Sequence, residues 1–399
     1  MSADRTSWLI ALLMAFVMLM PMGIDIYLPA LPDMGRDFSS SIESLQVSIT
    51  LFLFVAGFGQ ALIGPLADRF GRRPVVLAGV LGYAAGSLLG VFAQELTLFY
   101  LARGIQGLGA CAASLVAFSA VRDRFSPVQG ARLYSYMNGA LCVVPALAPA
   151  LGGFLAIHLG WRSTFVFMAL FALLLAAAIA LRFDETLAPG RRAGGPIYRW
   201  HRYAPVLSSG SFYYYAGLAL AGMAMILVFV ASAPVILVER LGHSPMVFSL
   251  WFGANAMVNI VAFVLAPRLL DRLGRVRLMR IGMWVLVASG VLNLLGWALL
   301  PLGALVFMLP VATLTIGFSL ALGATLSLML EPFADRAGTA AALFGTLQLS
   351  GGALLATLLL ATPLPAQLAM ALIAIGVVLP LLYWAPGSSN PHDGDSSAR

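Results

Sequence analysis

Apolar stretches of about 20 residues recur along almost the whole chain, separated by short polar breaks, and that is the length a helix needs to cross a bilayer core. Inside lipid every backbone N–H and C=O must find a partner within the protein, which leaves helices and closed barrels as the spanning structures. Roughly twelve such runs fit. Hydrophobic residues make up 61% of the sequence and charged residues 10%, where soluble domains carry about a quarter charged. The expectation is an all-α integral membrane protein with twelve transmembrane helices. The first run starts at Trp8, lacks a small-residue cleavage site and is too long for a signal-peptide core, so it reads as a retained first span.

The runs fall into two sets. Gly64-Pro-Leu-Ala-Asp68-Arg69-Phe-Gly71-Arg72-Arg73 separates the second run from the third, and Asp271-Arg272-Leu-Gly274-Arg275 returns 203 positions later at the same place in the second set. Internal duplication with matching hydropathy is how many transporters are built. The pattern resembles the loop 2–3 signature of the major facilitator superfamily, Gly-x-Leu-Ala-Asp-Arg-x-Gly-Arg-Arg. The first copy fits it throughout; the second keeps its Asp-Arg-x-Gly-Arg core behind Ala266-Pro267. The resemblance implies two six-helix bundles, at 1–181 and 209–386, with a cytoplasmic linker at 182–208 and a polar tail at 387–399. Gly64, Asp68, Arg69, Gly71, Arg72 and Arg73 are then expected to act conformationally. Asp68 would face a helix terminus, while Arg72 and Arg73 hold carboxylates or carbonyls of the neighbouring half and latch that side shut. Spans are expected at 8–28, 42–64 and 74–92 for the first three helices.

Charge is distributed as sharply as hydropathy. All 23 basic residues are arginine, and the net charge is +7. With the amino terminus in the cytoplasm, the loops on that side collect nearly all of them, and only Arg36, Arg162 and Arg240 face the other way. That bias follows the positive-inside rule and places both termini in the cytoplasm. It accounts for the basic character without nucleic acid. Cys111 and Cys142 lie apart with no CxxC spacing, and the four histidines are scattered, so neither a disulfide framework, a metal site nor a cofactor is expected. A P-loop would need a lysine, which the chain lacks, so ATP drive is unsupported. Paired carboxylates, HExxH or a Ser/Lys dyad within a span would suggest an intramembrane enzyme; none is present, and no residue is assigned a catalytic role.

Asp25 is the one acidic residue well inside a span. An ionised carboxylate there is costly, so it marks a pathway or proton site. Met14, Met18 and Met22 precede it by 11, 7 and 3 residues and share its helix face, and methionine surfaces re-pack around varied ligands. Arg103, in the fourth span, lies about 10 Å deep from the same surface at 1.5 Å per residue, a depth similar to that of Asp25. Gln106, Gly107, Ala110 and Ser114 follow on its face. A carboxylate that must take up and release a proton cannot stay paired with a guanidinium, so Asp25 and Arg103 are expected to pair in one state and part in another.

Arg103-Gly-Ile-Gln106-Gly107 is similar to the Arg-x-x-Gln-Gly signature of the superfamily's proton-coupled drug exporters. Asp25-Ile-Tyr27-Leu-Pro29-Ala-Leu-Pro32 resembles the end of helix 1 in the Bcr/CflA subfamily, the bicyclomycin and chloramphenicol resistance exporters. In the fifth span Asn138, Cys142, Pro145, Pro149 and Gly152 share a face with Gly153 adjoining, which looks like the antiporter motif Gly-Pro-x-x-Gly-Gly with Ala148 in place of the first glycine. These resemblances imply a monomeric proton/drug antiporter of the bacterial inner membrane. It would export small amphipathic compounds such as antibiotics by alternating access. A major facilitator exporter or importer of a metabolite, siderophore or sugar is the alternative. Met18, Met22, Tyr27, Gln106, Tyr134, Asn138, Asn255 and Asn259 are the candidates for the substrate cavity.

Overall fold

The computed structural model describes residues 3–125, 127–188 and 200–384, less the side chains of a few of them. Among the described residues every regular element is helical. The first half contains α1 (Ala3–Asp25), α2 (Ile42–Phe70), α3 (Arg72–Phe92), α4 (Leu96–Arg124), α5 (Pro127–Leu159) and α6 (Arg162–Arg182). The second contains α7 (Gly210–Pro234), α8 (Pro245–Leu273), α9 (Arg275–Leu299), α10 (Ala304–Leu330), α11 (Gly338–Leu360) and α12 (Ala366–Tyr383). Eleven are long and apolar enough to cross a membrane by their described residues alone, and α5, with 33 residues, is the twelfth. The outer surface is oily, with Leu174 and Leu299 each 73% exposed and Leu181 82% exposed, as a lipid-facing wall requires. The chain is a multi-pass membrane protein built as two six-helix bundles.

The duplication is structural down to its caps. α2 and α8 are each 29 residues long and start 203 positions apart. Each is opened by a serine, Ser41 or Ser244, whose hydroxyl accepts a backbone N–H three residues on at 3.3 Å, satisfying one of the orphan donors of a helix N-terminus. Each is closed by a glycine at positive φ, +105° at Gly71 and +77° at Gly274, a conformation that costs a residue with a Cβ. This is why α2 runs past the expected end at Gly64, through Pro65 and the Asp-Arg pair: the chain leaves the helix only where Gly71 can turn it. The next helix pair repeats as well. Gly79 and Gly109 let α3 and α4 touch backbone to backbone, and Gly282 and Gly317 do the same for α9 and α10, where an added Cβ would sit 2.7–2.9 Å from the facing carbonyl. Small residues of this kind replace the hydrophobic driving force that helices lack in lipid.

The described ends of the linker are built into the fold. Phe183 is buried edge-on against Phe16 of α1, and Trp200–Leu207 forms a further short helix before α7.

Candidate transport site

Asp25 is the last residue of α1 and is 4% exposed. Among the described residues no hydrogen bond or ion pair reaches its carboxylate. Arg103, fully buried on α4, faces the same end of α1 but docks two residues away. It donates to the Gly23 carbonyl at 2.6 Å and to Gln106 Oε1, and its guanidinium lies 4.9 Å from the Tyr27 ring centre and 4.5 Å from that of Phe52. The Asp25–Arg103 pair is therefore not formed in this structure. The reason lies in the helix end: the last carbonyls of a helix have no internal donor, and its C-terminus attracts a cation. Arg103 meets both demands and keeps one buried donor, Nε, without a partner.

What holds Arg103 there is a directional chain. The Ser87 hydroxyl donates to the Tyr83 carbonyl at 2.8 Å, so its oxygen is left to accept the Gln106 side-chain amide at 2.7 Å. That fixes the Gln106 amide with its oxygen toward the guanidinium. Helices α3, α4 and α1 are thus wired through one buried path. Tyr27 serves it as a packing residue: its hydroxyl bonds Ser48 at 3.0 Å and its ring packs on Phe165 with centres 5.5 Å apart.

A cavity of about 700 Å³ lies between the halves and opens at the arginine-rich end. Gln60, Gly64 and Asp68 line it from α2, Cys111 and Arg122 from α4, and Gln348 from α11. The α1 residue on its wall is Met20, from a different face than the Met14, Met18 and Met22 stripe. Neither Met18, Met22, Tyr27 nor Gln106 lines it in this state. Asn255 and Asn259 accept hydrogen bonds from Thr315 at 3.1 Å and Ser319 at 3.4 Å, and so tie α8 to α10. The side chains of Tyr134 and Asn138 lie outside the described residues. Sequence reasoning missed Gln60, Gln348 and Arg122 because polar residues in spans or at their ends are common, and nothing local marks the ones that converge.

At the opposite end the halves are closed. Gln46 donates to the Ala231 carbonyl at 2.6 Å, Ser350 to Phe54 at 2.7 Å and Thr346 to Gly57 at 2.8 Å, and Thr50 and Thr357 share a hydroxyl contact. Thr346 and Ser350 sit at a π-turn, Leu347–Gly351, that widens α11 at this seam. Pro145 and Pro149 are accommodated within α5 without ending it. Gly152 abuts the Ile26 carbonyl so closely that any Cβ would overlap it, whereas Gly153 has Pro29, Ser249 and Pro245 at 3.8–4.0 Å from the same position. Close approach to α1 is thus carried by Gly152, with Ala148 buried one turn away.

In this state Arg72 and Arg73 of the first signature turn bond within their own half, and the latch across to the other is expected of the state closed at this end. Arg72, 2% exposed, pairs with Asp68 at 2.7 Å and Asp123 at 3.1 Å; Arg73 donates to the Ala180 carbonyl at 2.8 Å; Arg69 lies over the Phe70 ring. Glu185 of the linker completes the knot by accepting the backbone N–H groups of Arg72 and Arg73 at 2.9 and 3.2 Å, close beside Gly71. Burial by itself would push its carboxyl up, but the N–H groups of Leu187, Arg72, Arg73 and Thr186 outweigh it and hold the group below its ordinary value. In the second turn Arg275 reaches Glu331 at 3.2 Å, and Gly274 has open space around it.

Two duplicated six-helix bundles around a cavity closed at one end define a membrane transporter. The sequence profile of the Major Facilitator Superfamily matches residues 12–356, and the chain belongs to that superfamily. It is 32% identical to a chloramphenicol resistance protein of Pseudomonas aeruginosa over 90% of this chain and 85% of that one. It is 31% identical to the multidrug resistance protein MdtL of Salmonella heidelberg (strain SL476), over 85% of each. Among solved structures the fold is similar to that of a D-xylose-proton symporter, with a TM-score of 0.79 at 17% identity over 96% of this chain and 98% of that one.

Proposed function

We propose that this protein exports small amphipathic compounds, antibiotics among them, across the bacterial inner membrane in exchange for protons, by alternating access. The observation that carries the proposal is Asp25: a buried carboxyl without a partner among the described residues, one layer beyond the cavity, beside an arginine that is docked on the neighbouring backbone. A carboxyl so placed is cheapest without its charge, which suits a bound proton. The names of the similar proteins, chloramphenicol resistance and multidrug resistance, support export of drugs.

The arginine-rich end is taken as cytoplasmic by the positive-inside rule. From Met20 on the cavity wall to Asp25 is a rise of about 7.5 Å along α1, so the carboxyl lies beyond the cavity floor in the cytoplasm-open state. Rocking of the halves would open the α2–α11 seam and give Asp25 access to the outer side, where it loads a proton as substrate leaves. On return, transfer of Arg103 from the Gly23 carbonyl to Asp25 expels the proton toward the cavity while substrate enters. In proteoliposomes loaded with a pH dye, adding substrate should release protons from the wild type and not from Asp25→Asn. Unchanged proton-linked efflux in the Asn variant overturns the proposal.

A further inference from the structure

The cavity contains no free carboxylate among its described lining residues. Its one lining acid, Asp68, is held by Arg72 at 2.7 Å. Arg122, by contrast, is exposed on the cavity wall and makes no hydrogen bond or ion pair with any described residue. It sits 11 positions below Cys111 on α4, a rise of about 16 Å along the helix at 1.5 Å per residue. Near the closed end of the cavity the amides of Gln60 and Gln348 offer neutral donors and acceptors, and the rings of Phe118 and Phe344 supply apolar wall between. The volume falls within the range of pockets that hold drug-sized molecules.

We infer that the cavity selects elongated aromatic amphipaths that are neutral or anionic and rejects organic cations, with Arg122 as the residue that sets this preference. The inference rests on the efflux reading for its biological meaning. Its physical content is binding, which needs neither a gradient nor a working Asp25. An acidic or strongly hydrogen-bond-accepting end would meet Arg122 at the mouth while the rings lie against the phenylalanines. A fixed cation in the same pose would face the guanidinium with no free carboxylate among the described lining residues, because Asp68 is already engaged by Arg72.

The test uses the purified full chain in lipid nanodiscs, with empty nanodiscs as the control, and equilibrium dialysis of three probes: naphthalene-2-sulfonate, naphthalene-2-sulfonamide and 2-naphthyltrimethylammonium. The sulfonate and sulfonamide should bind, with the ammonium weaker by about tenfold or more, which is ~1.4 kcal/mol. Arg122→Gln should weaken the sulfonate about tenfold and leave the sulfonamide within about twofold. Ser119→Asp, one turn away on the same wall, should pair with Arg122 and erase the preference for the sulfonate. Equal binding of ammonium and sulfonate to the wild type, uniform weakening of all probes in Arg122→Gln, or failure of all three to bind overturns the inference. The expected binding pattern without translocation in proteoliposomes would sink the efflux proposal and leave this one standing. Asp25-dependent efflux of the ammonium would do the reverse.

Discussion

Glu185 closes the N-terminus of α3 by accepting the backbone N–H of Arg72 on one carboxylate oxygen and that of Arg73 on the other. Four N–H groups overcome the effect of burial and keep its carboxyl below the ordinary 4.5. A depressed carboxyl adds stability that is present above its ordinary value and is lost as pH falls through the lower folded value. Because the site is partly open to water, its contribution is modest, about 1 kcal/mol. Glu185→Gln should therefore lower the thermal midpoint at pH 7 by roughly 2 °C, and the gap between variant and wild type should narrow below pH 4.5. Thermal unfolding in detergent at the two pH values checks this; an equal gap at both would show that the charge is not what matters.

Gly152 is the tightest meeting of α5 with α1. The atom an added Cβ would strike is the Ile26 backbone carbonyl, which cannot swing aside as a side chain could. Gly152→Ala should cost about 1–3 kcal/mol through overpacking. Gly153→Ala, meeting ordinary contacts at 3.8–4.0 Å, should leave the thermal midpoint within about 1 °C. Similar losses in the two variants would mean that α5 is positioned by something else.

Ser87 orients Gln106, and Gln106 orients Arg103. Removing the hydroxyl in Ser87→Ala leaves a buried amide donor unpaired and frees the amide to flip, at a cost of about 1–3 kcal/mol. The expected result is a lower thermal midpoint together with a shifted pH profile of transport, since Arg103 would no longer be held on Gly23. A lower midpoint with an unaltered profile would reduce Ser87 to a packing residue.

The hydroxyls of Thr346 and Ser350 bind α11 to α2 at the closed end. Thr346→Val with Ser350→Ala removes two such bonds, about 1 kcal/mol each, and should tilt the equilibrium away from the state open at the arginine-rich end. Labelling of Gln60→Cys by a charged maleimide from that end should slow several-fold in a Cys111→Ser background. Unchanged labelling would place the closing energy elsewhere along the seam.

Much of the architecture follows from local rules along the chain. Run length sets the number of spans, the serines at 41 and 244 begin the paired helices, and the glycines at 71 and 274 end them. These features act over a few residues, so sequence carries them. The partners at the heart of the site were decided only by the assembled bundle. Asp25 and Arg103 were legible as two charges at one depth, but depth does not say which acceptor is within reach, and the bare carbonyl at the end of α1 took the arginine. Helical periodicity put Met18 and Met22 on one stripe with Asp25, yet the cavity meets α1 at Met20, because the packing of α2, α4 and α11 chooses which face is open. Glu185 reads as one more linker charge until the fold brings it to the start of a helix 113 residues earlier. Periodicity and capping are short-range, whereas a site is a convergence of distant segments whose rotation about their own axes is fixed only by mutual packing.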